Sequence, residues 1–323
     1  MAYSEQVLHR AQMRLAKEKA DFEAAAADRV QAVYSRLPRL KQIEQQLQHC
    51  AAQAVIAAFR KDAGSADAID SLKKESLALQ QERDWVLKNN DLELAALEVG
   101  AVCPDCGGSG YIGAVMCKCL RELCRQEQIK ELSSLLSGEE TFDDFRLDYY
   151  SMETDPQVGV SPRSLMQRTF LDCRKYAEGF QHHSPSLLFS GNPGLGKTFL
   201  SACIARTVAN RGFSVVYDTA GKLFSDFEAV KFGGNQDDLT AKYLGCDLLI
   251  IDDLGTELVT QFTYSVLYQV INTRLLERKP VIVSTNLSKD AIQKRYPGPI
   301  ASRLIGSYLL YPFLGSDIRL INK

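Results

Sequence analysis

Gly191, Asn192, Pro193, Gly194, Leu195, Gly196, Lys197 and Thr198 spell G-x-x-x-x-G-K-T, and the flanks of this octet leave the chain few folds to adopt. Leu187, Leu188 and Phe189 before it read as a buried strand, and residues 199–209 after it as an amphipathic helix. A phosphate-binding loop needs that context. Glycines let the backbone wrap a polyphosphate closely, and amides there and at the helix N-terminus point at the anion. Lys197 is expected to reach the β- and γ-phosphates and the Thr198 hydroxyl to ligate Mg²⁺. The octet predicts a bound nucleoside triphosphate.

The remaining strands fit that start. From Ser186 the expected elements alternate: strand 187–190, the helix after the loop, strand 213–217, helix 221–231, strand 248–251, helix 263–277 and strand 281–284. Ser161 and Pro162 read as N-cap and first residue of a helix reaching about Phe180. Such alternation predicts an α/β fold, a parallel sheet covered on both faces. The strand 248–251 runs into Asp252 and Asp253, and 281–284 into Thr285 and Asn286. Strand ends of this kind open onto the crevice where ligands bind in open α/β sheets. Asp252 is expected to hold Mg²⁺ and Asp253 to polarise the attacking water. Asn286 is expected to sense the γ-phosphate or orient that water, a simple strand-end cap being the alternative.

Composition changes near residue 100. The first hundred residues contain two glycines (Gly64, Gly100) and one proline (Pro38), amid strong helix formers. Leu8, Leu15 and Phe22 are spaced by seven, Val30, Val33 and Leu37 continue to Pro38, and Leu40, Ile43, Leu47, Cys50 and Ala54 form a second stripe. Leu72, Leu79, Val86 and Leu87 form a third after the Gly64-Ser65 break. A helical hairpin or small bundle with a coiled-coil tendency is expected, either a partner-binding arm or a domain packed only on itself.

Cys103, Cys106, Cys117 and Cys119 come next, glycines following the first pair. Two thiolate pairs across a short hairpin can complete a sulfur tetrahedron, and a closed four-sulfur site suits a structural zinc. A redox or cluster site and an accidental clustering are the alternatives, and Cys124 lies close enough to replace Cys119. The formal net charge is −2, and residues 1–100 carry 14 Lys/Arg against 15 Asp/Glu, so no basic half advertises nucleic acid. The polar, helical N-terminus, the lack of any apolar run near membrane length and a cysteine in mid-helix (Cys203) lead us to expect a soluble protein of a reducing cytoplasm, away from membranes.

The ordered set of the loop octet, residues 248–255, residues 281–286, Ala301 to Leu304 and Ser316 to Arg319 resembles the AAA+ ATPases. Within them it is similar to bacterial replicative helicase loaders of the DnaC/DnaI type, with the IstB transposition helpers close by. The cysteine run ahead of the ATPase and the Thr141-Phe142-Asp143-Asp144-Phe145 linker look like the DnaI-like members. The resemblance covers about residues 100–323, while residues 1–100 share only helical character. It implies a Walker A loop at Gly191–Thr198, Walker B at Asp252 and Asp253, sensor 1 at Asn286, an arginine finger at Arg303 and sensor 2 at Arg319. Arg295 competes for the finger role. After Asn286, 37 residues follow, too few for the helical lid many AAA+ proteins carry.

The resemblance implies a four-part chain: 1–99 a helical partner-binding arm, 100–125 a zinc module, 126–160 a linker and 161–323 the AAA+ ATPase. It implies a Mg²⁺-dependent ATPase, slow and assembly-dependent, that binds ATP or ADP, self-associates through its ATPase domain and loads a hexameric replicative DNA helicase in bacteria. Single-stranded DNA is the further partner, with Lys222, Lys231, Phe224 and Phe227 as its candidate surface or as an ordinary amphipathic helix. The rivals are an IstB-like helper of a transposase and a non-catalytic adaptor stabilised by nucleotide.

Overall fold

The structure is a computed structural model describing residues 3–59, 65–135, 140–156, 158–231 and 240–320. The chain divides into two compact units, Met1–Met13 with Lys118–Lys323, and Arg14–Cys117. Among the described residues no helix is long and apolar enough to cross a membrane.

Three helices dominate the first hundred residues: α1 (Glu5–Arg36), α2 (Pro38–Phe59) and α3 (Ser65–Lys88). Pro38 ends α1 and opens α2, because proline lacks the amide an inner helical position needs but fits the first turn. Gly64 of the expected break lies outside the described residues. Leu40, Ile43 and Cys50 of α2 meet Leu79, Val86 and Leu87 of α3 in a small core, with Val33, Leu37, Leu47 and Leu72 against it. The expected stripes therefore build a helical hairpin. The start of α1 departs from the expected heptad, since Tyr3, Val7 and Ala11 are buried there and Leu8 only half-buried. These residues belong to the unit that contains Lys118–Lys323, where the Tyr3 hydroxyl donates to Gly212 O at 3.2 Å and Arg10 pairs with Glu131.

A two-stranded antiparallel hairpin, β1 (Tyr111–Ile112) and β2 (Val115–Met116), separates the cysteine pairs. α4 (Lys118–Leu135) follows, so Cys119 sits in a first helical turn.

The unit that carries the Gly191–Thr198 loop is a five-stranded parallel sheet in the order β4 (Val215–Thr219), β5 (Leu248–Leu254), β6 (Val281–Thr285), β3 (Leu187–Gly191), β7 (Leu309–Phe313). Successive strand residues point to opposite faces; in β3 to β6 both faces are largely buried, so these strands read as apolar runs, whereas β7 is mostly exposed. Leu187, Phe189, Val215, Leu248, Ile250 and Ile282 share one core with α5 (Pro162–Glu178) and α6 (Lys197–Asn210). Leu188, Val216, Leu249, Ile251, Val281 and Val283 share the other with α7 (Ala220–Lys231), α8 (Gln261–Leu276), α9 (Lys289–Arg295) and α10 (Gly298–Gly306). This is an α/β architecture, a parallel sheet covered by helices on both faces, as the alternation of strands and helices implied.

Most ends agree with expectation to within two residues, and three departures matter for the site or the sheet. β4 begins two residues later, because Phe213 packs its ring on Phe180 before the strand starts. β5 runs on to Leu254, taking both aspartates into the strand. β7 was not expected at all, since Pro312 lies inside it. An edge strand tolerates a proline, and β7 is an edge, paired only with β3 in the sheet.

Candidate functional site

The phosphate loop leaves β3 at Gly191 and enters α6 at Lys197. Gly196 caps the helix with φ +90°, in the left-handed region, and a Cβ there would meet the Tyr150 hydroxyl at 2.9 Å. Gly194, at φ +73°, allows the Asp317 carboxylate to approach so closely that any Cβ would collide with it. The C-terminal segment docks on the same loop, the Ile318 amide donating to Gly194 O at 3.0 Å.

A cavity of about 430 Å³ opens above the sheet, walled by Pro193, Gly194, Gly196, Lys197 and Thr198 of the loop and by Asp253, Asn286 and Arg319. Gly191, Asn192 and Leu195 of the loop do not line it. Lys197 is 5% exposed and donates to Gly191 O (2.7 Å), Asn192 O (2.8 Å) and Asn286 Oδ1 (2.7 Å), while Leu195 is buried in the core. Burial lowers the Lys197 pKa, against the opposing pull of Asp253 and Asp252.

Asp252 and Asp253 are separated by a bulge. Ile251 pairs with Val283 but Leu254 with Thr285, so β5 holds one residue more than β6 across this stretch. Asp253 takes up the excess at φ +55°, uncommon for a residue other than glycine. Bulges beside active sites re-aim side chains. Here the result is a pair with two environments: Asp252 is 4% exposed, while Asp253 is exposed and faces the cavity. Asp252 accepts from the Tyr217 hydroxyl at 2.7 Å, the Ser284 hydroxyl and the Asp253 amide at 3.1 Å. Burial and the Asp252 charge raise the Asp253 pKa, Lys197 and Arg319 opposing them.

Sequence reasoning missed the opposite wall. Asp144, Phe145, Arg146, Tyr149 and Tyr150, all from the segment read as linker, line the cavity. Phe145 stacks on Tyr150 and Phe170 with ring centroids 5.8 and 5.0 Å apart, and the Tyr150 hydroxyl donates to Leu195 O at 2.8 Å. The only signal was aromatic density at residues 142–150.

Arg303 does not reach this cavity. On α10 it donates to Asn272 Oδ1 (2.9 Å), Pro299 O (2.9 Å) and the Tyr268 hydroxyl (3.2 Å), its guanidinium 4.7 Å from the Tyr268 ring centroid. Arg295 is tied down more deeply, donating to Glu257 O at 2.6 Å and lying 3.8 Å from its carboxylate. On α7, Phe224 belongs to the core, Phe227 packs against it and Lys222 pairs with Asp226. The Lys231 side chain lies outside the described residues.

The sulfurs of Cys103, Cys106, Cys117 and Cys119 all lie within 4.8 Å of one another. Those of Cys103 and Cys117 are 3.8 Å apart. A zinc with bonds of about 2.3 Å to four sulfurs sets them about 3.8 Å apart, so the donor set fits zinc in both chemistry and spacing. Cys124 is not in the cluster. It is fully buried on α4, where burial and Glu127 push its thiol up to about 11.

The cavity beside the loop passes a similar test for a nucleotide. A buried ammonium that satisfies itself on carbonyls of its own loop is a cation without a buried carboxylate partner, suited to a phosphate. Thr198 lies exposed on the cavity wall. The Asp252 carboxylate, with three of about four acceptor positions filled, keeps capacity for Mg²⁺ or its water.

Comparison with known proteins agrees with this architecture. Residues 162–298 match the family model described as IstB-like ATP binding protein. The replicative helicase loader DnaC of Escherichia coli (strain K12) is 28% identical over 123 residues, 38% of this chain and 50% of the relative. DnaC of Buchnera aphidicola subsp. Acyrthosiphon pisum (strain APS) is 25% identical over 170 residues, 51% of this chain and 65% of the relative. The crystal structure of the DnaC helicase loader aligns with a TM-score of 0.45 at 20% identity, covering 54% of this chain and 98% of that one. The chain thus spans half to two thirds of the length of these curated relatives, and it resembles DnaC-type and IstB-like AAA+ proteins.

Proposed function

We propose that the chain is an ATP-dependent loader of a hexameric replicative DNA helicase. The observation that carries this reading is the division of the site: Lys197, Thr198, Asp253, Asn286 and Arg319 converge on one cavity while Arg303 stands outside it on α10. A site lacking its own finger is completed by a neighbouring subunit, as fingers supplied in trans do. The DnaC likeness supports a helicase as the partner.

In this reading the loop amides and Lys197 bind the β- and γ-phosphates of ATP or ADP, and Phe145, Tyr149 and Tyr150 wall in the rest of the nucleotide. Thr198 and Asp252 hold Mg²⁺, which when bound neutralises phosphate charge. Asp253 orients and polarises the attacking water, Asn286 fixes it against the γ-phosphate and Arg319 contacts the same phosphates. Arg303 serves the nucleotide of the chain beside it, where planar bidentate contact suits a phosphate. The four-cysteine cluster holds a structural zinc. Residues 1–99 form the arm that docks on the helicase, 100–125 the zinc module and 126–160 the linker, with 161–323 the ATPase that self-associates around single-stranded DNA. The setting is the bacterial cytoplasm.

A second reading, an ATPase helper of a transposase, is favoured by the IstB-like family model. Reconstitution separates them. Mixed with the replicative helicase of its own host, the chain should form a stoichiometric complex in size-exclusion chromatography. Binding to a transposase instead, with none to the helicase, would overturn the first reading.

A further inference from the structure

The buried carboxylate of Asp252 is gripped from two neighbouring strands. Tyr217 of β4 donates to Oδ2 at 2.7 Å, and Ser284 of β6 donates to Oδ1. The Asp253 amide adds a third donor to Oδ1 at 3.1 Å. The Tyr217 side chain is 7% exposed and its ring packs in the apolar core with Val215, Leu248 and Ile250. Phenylalanine would satisfy that packing equally, so the hydroxyl answers to the carboxylate alone. Ser284 is fully buried and donates from the opposite side. With three of about four acceptor positions taken by fixed donors, the carboxylate has one orientation and one open direction.

We propose that Tyr217 and Ser284 are positioning residues for the magnesium site, fixing the Asp252 carboxylate so that its remaining oxygen lone pair is presented to the ion. The inference rests on the assignment of Thr198 and Asp252 to Mg²⁺. Carboxylates that ligate metals are themselves commonly held by hydrogen bonds, and losing such a partner typically lowers metal affinity about 10- to 100-fold. Neither hydroxyl touches the nucleotide in this scheme, but the Ser284 hydroxyl also accepts from the Asp253 amide at 3.0 Å, so Tyr217→Phe is the variant whose effect should be confined to the metal.

The test is Mg²⁺ titration of fluorescent-ADP binding to the full chain, with Tyr217→Phe and Ser284→Ala beside wild type, and thermal unfolding recorded for each. The Mg²⁺ concentration at half-effect should rise about 10- to 100-fold in either variant, while the ADP affinity of Tyr217→Phe in EDTA stays at the wild-type value. In an Asp252→Asn background Tyr217→Phe should add no further shift, because the group it positions has gone. The two single variants approach Asp252 from different strands, so either one folding suffices. An unchanged Mg²⁺ midpoint in a folded variant overturns the inference alone. Wild-type binding indifferent to Mg²⁺ overturns the parent assignment, and the inference with it.

Discussion

The Lys197 ammonium donates to the Asn286 carboxamide oxygen at 2.7 Å, joining the phosphate loop to the end of β6. The contact spans the floor on which a γ-phosphate would sit, and its two partners are those that such a phosphate would engage. In the proposed function Lys197 exchanges these carbonyl and amide acceptors for phosphate oxygens when nucleotide binds. Lys197→Ala removes charge-assisted hydrogen bonds of about 1.5–3 kcal/mol, so ATP binding should weaken roughly 10- to 150-fold. Titration with a fluorescent ATP analogue checks this; wild-type affinity in the variant would dismiss Lys197 from the site.

Arg303 makes its contacts with Asn272, Pro299 and Tyr268, all away from its own cavity. Arg303→Ala should keep ATP binding and lose on the order of 10³ in turnover, the scale of a missing trans finger. Mixed with inactive Lys197→Ala protein it should regain part of its activity, since some interfaces then pair an intact loop with an intact arginine. Steady-state ATPase assays of the mixture decide it, and full turnover in isolated Arg303→Ala protein would make the residue an ordinary surface arginine.

Asp253 is the only acid lining the cavity from β5, turned there by the bulge. Asp253→Asn keeps the size and tolerates the same backbone, but cannot polarise water. Hydrolysis should fall about 10²- to 10⁴-fold with ATP affinity near wild type. Equal loss of binding and turnover would assign Asp253 to nucleotide binding instead.

The 3.8 Å spacing of Cys103 and Cys117 sulfurs matches two ligands of one tetrahedral zinc. Metal analysis should find one zinc per chain, and Cys106→Ser should release it and open residues 100–125 to protease. Visible absorbance from iron would replace zinc, and a metal-free protein with the segment still protected would remove the site.

Much of the site was legible because its signals are local. The loop octet, the apolar runs ending in Asp252 and Asn286 and the cysteine pairs each lie within about twenty residues. The missed parts depend on partners distant in sequence. Nothing near Tyr149 and Tyr150 tells that they face a loop more than forty residues on, so a wall of the nucleotide cavity read as linker. Nor can a run of two aspartates reveal that a bulge buries the first and exposes the second. That outcome is set by pairing with β6. β7 was hidden by Pro312, which only an edge position excuses.

Phe59 on α2 and Trp85 on α3 are 84% and 66% exposed, although both helices have a core to fill. Large exposed aromatics contribute little to folding and much to interfaces, and truncating such an anchor typically costs about 2 kcal/mol or more of binding. Trp85→Ala should leave thermal stability unchanged and weaken helicase binding about 30-fold or more, read by anisotropy with labelled helicase. A stability loss with unaltered binding would return Trp85 to the hairpin's own packing.

Helicase loading is best read on closed circular single-stranded DNA, onto which a ring cannot thread from an end. Purified helicase, ATP and this chain are incubated with the circle, and helicase retained on it is counted after gel filtration. Retention should require the chain and be lost with Lys197→Ala. Helicase retained equally well without the chain, or not at all despite a stable complex between the two proteins, would rule out a loader.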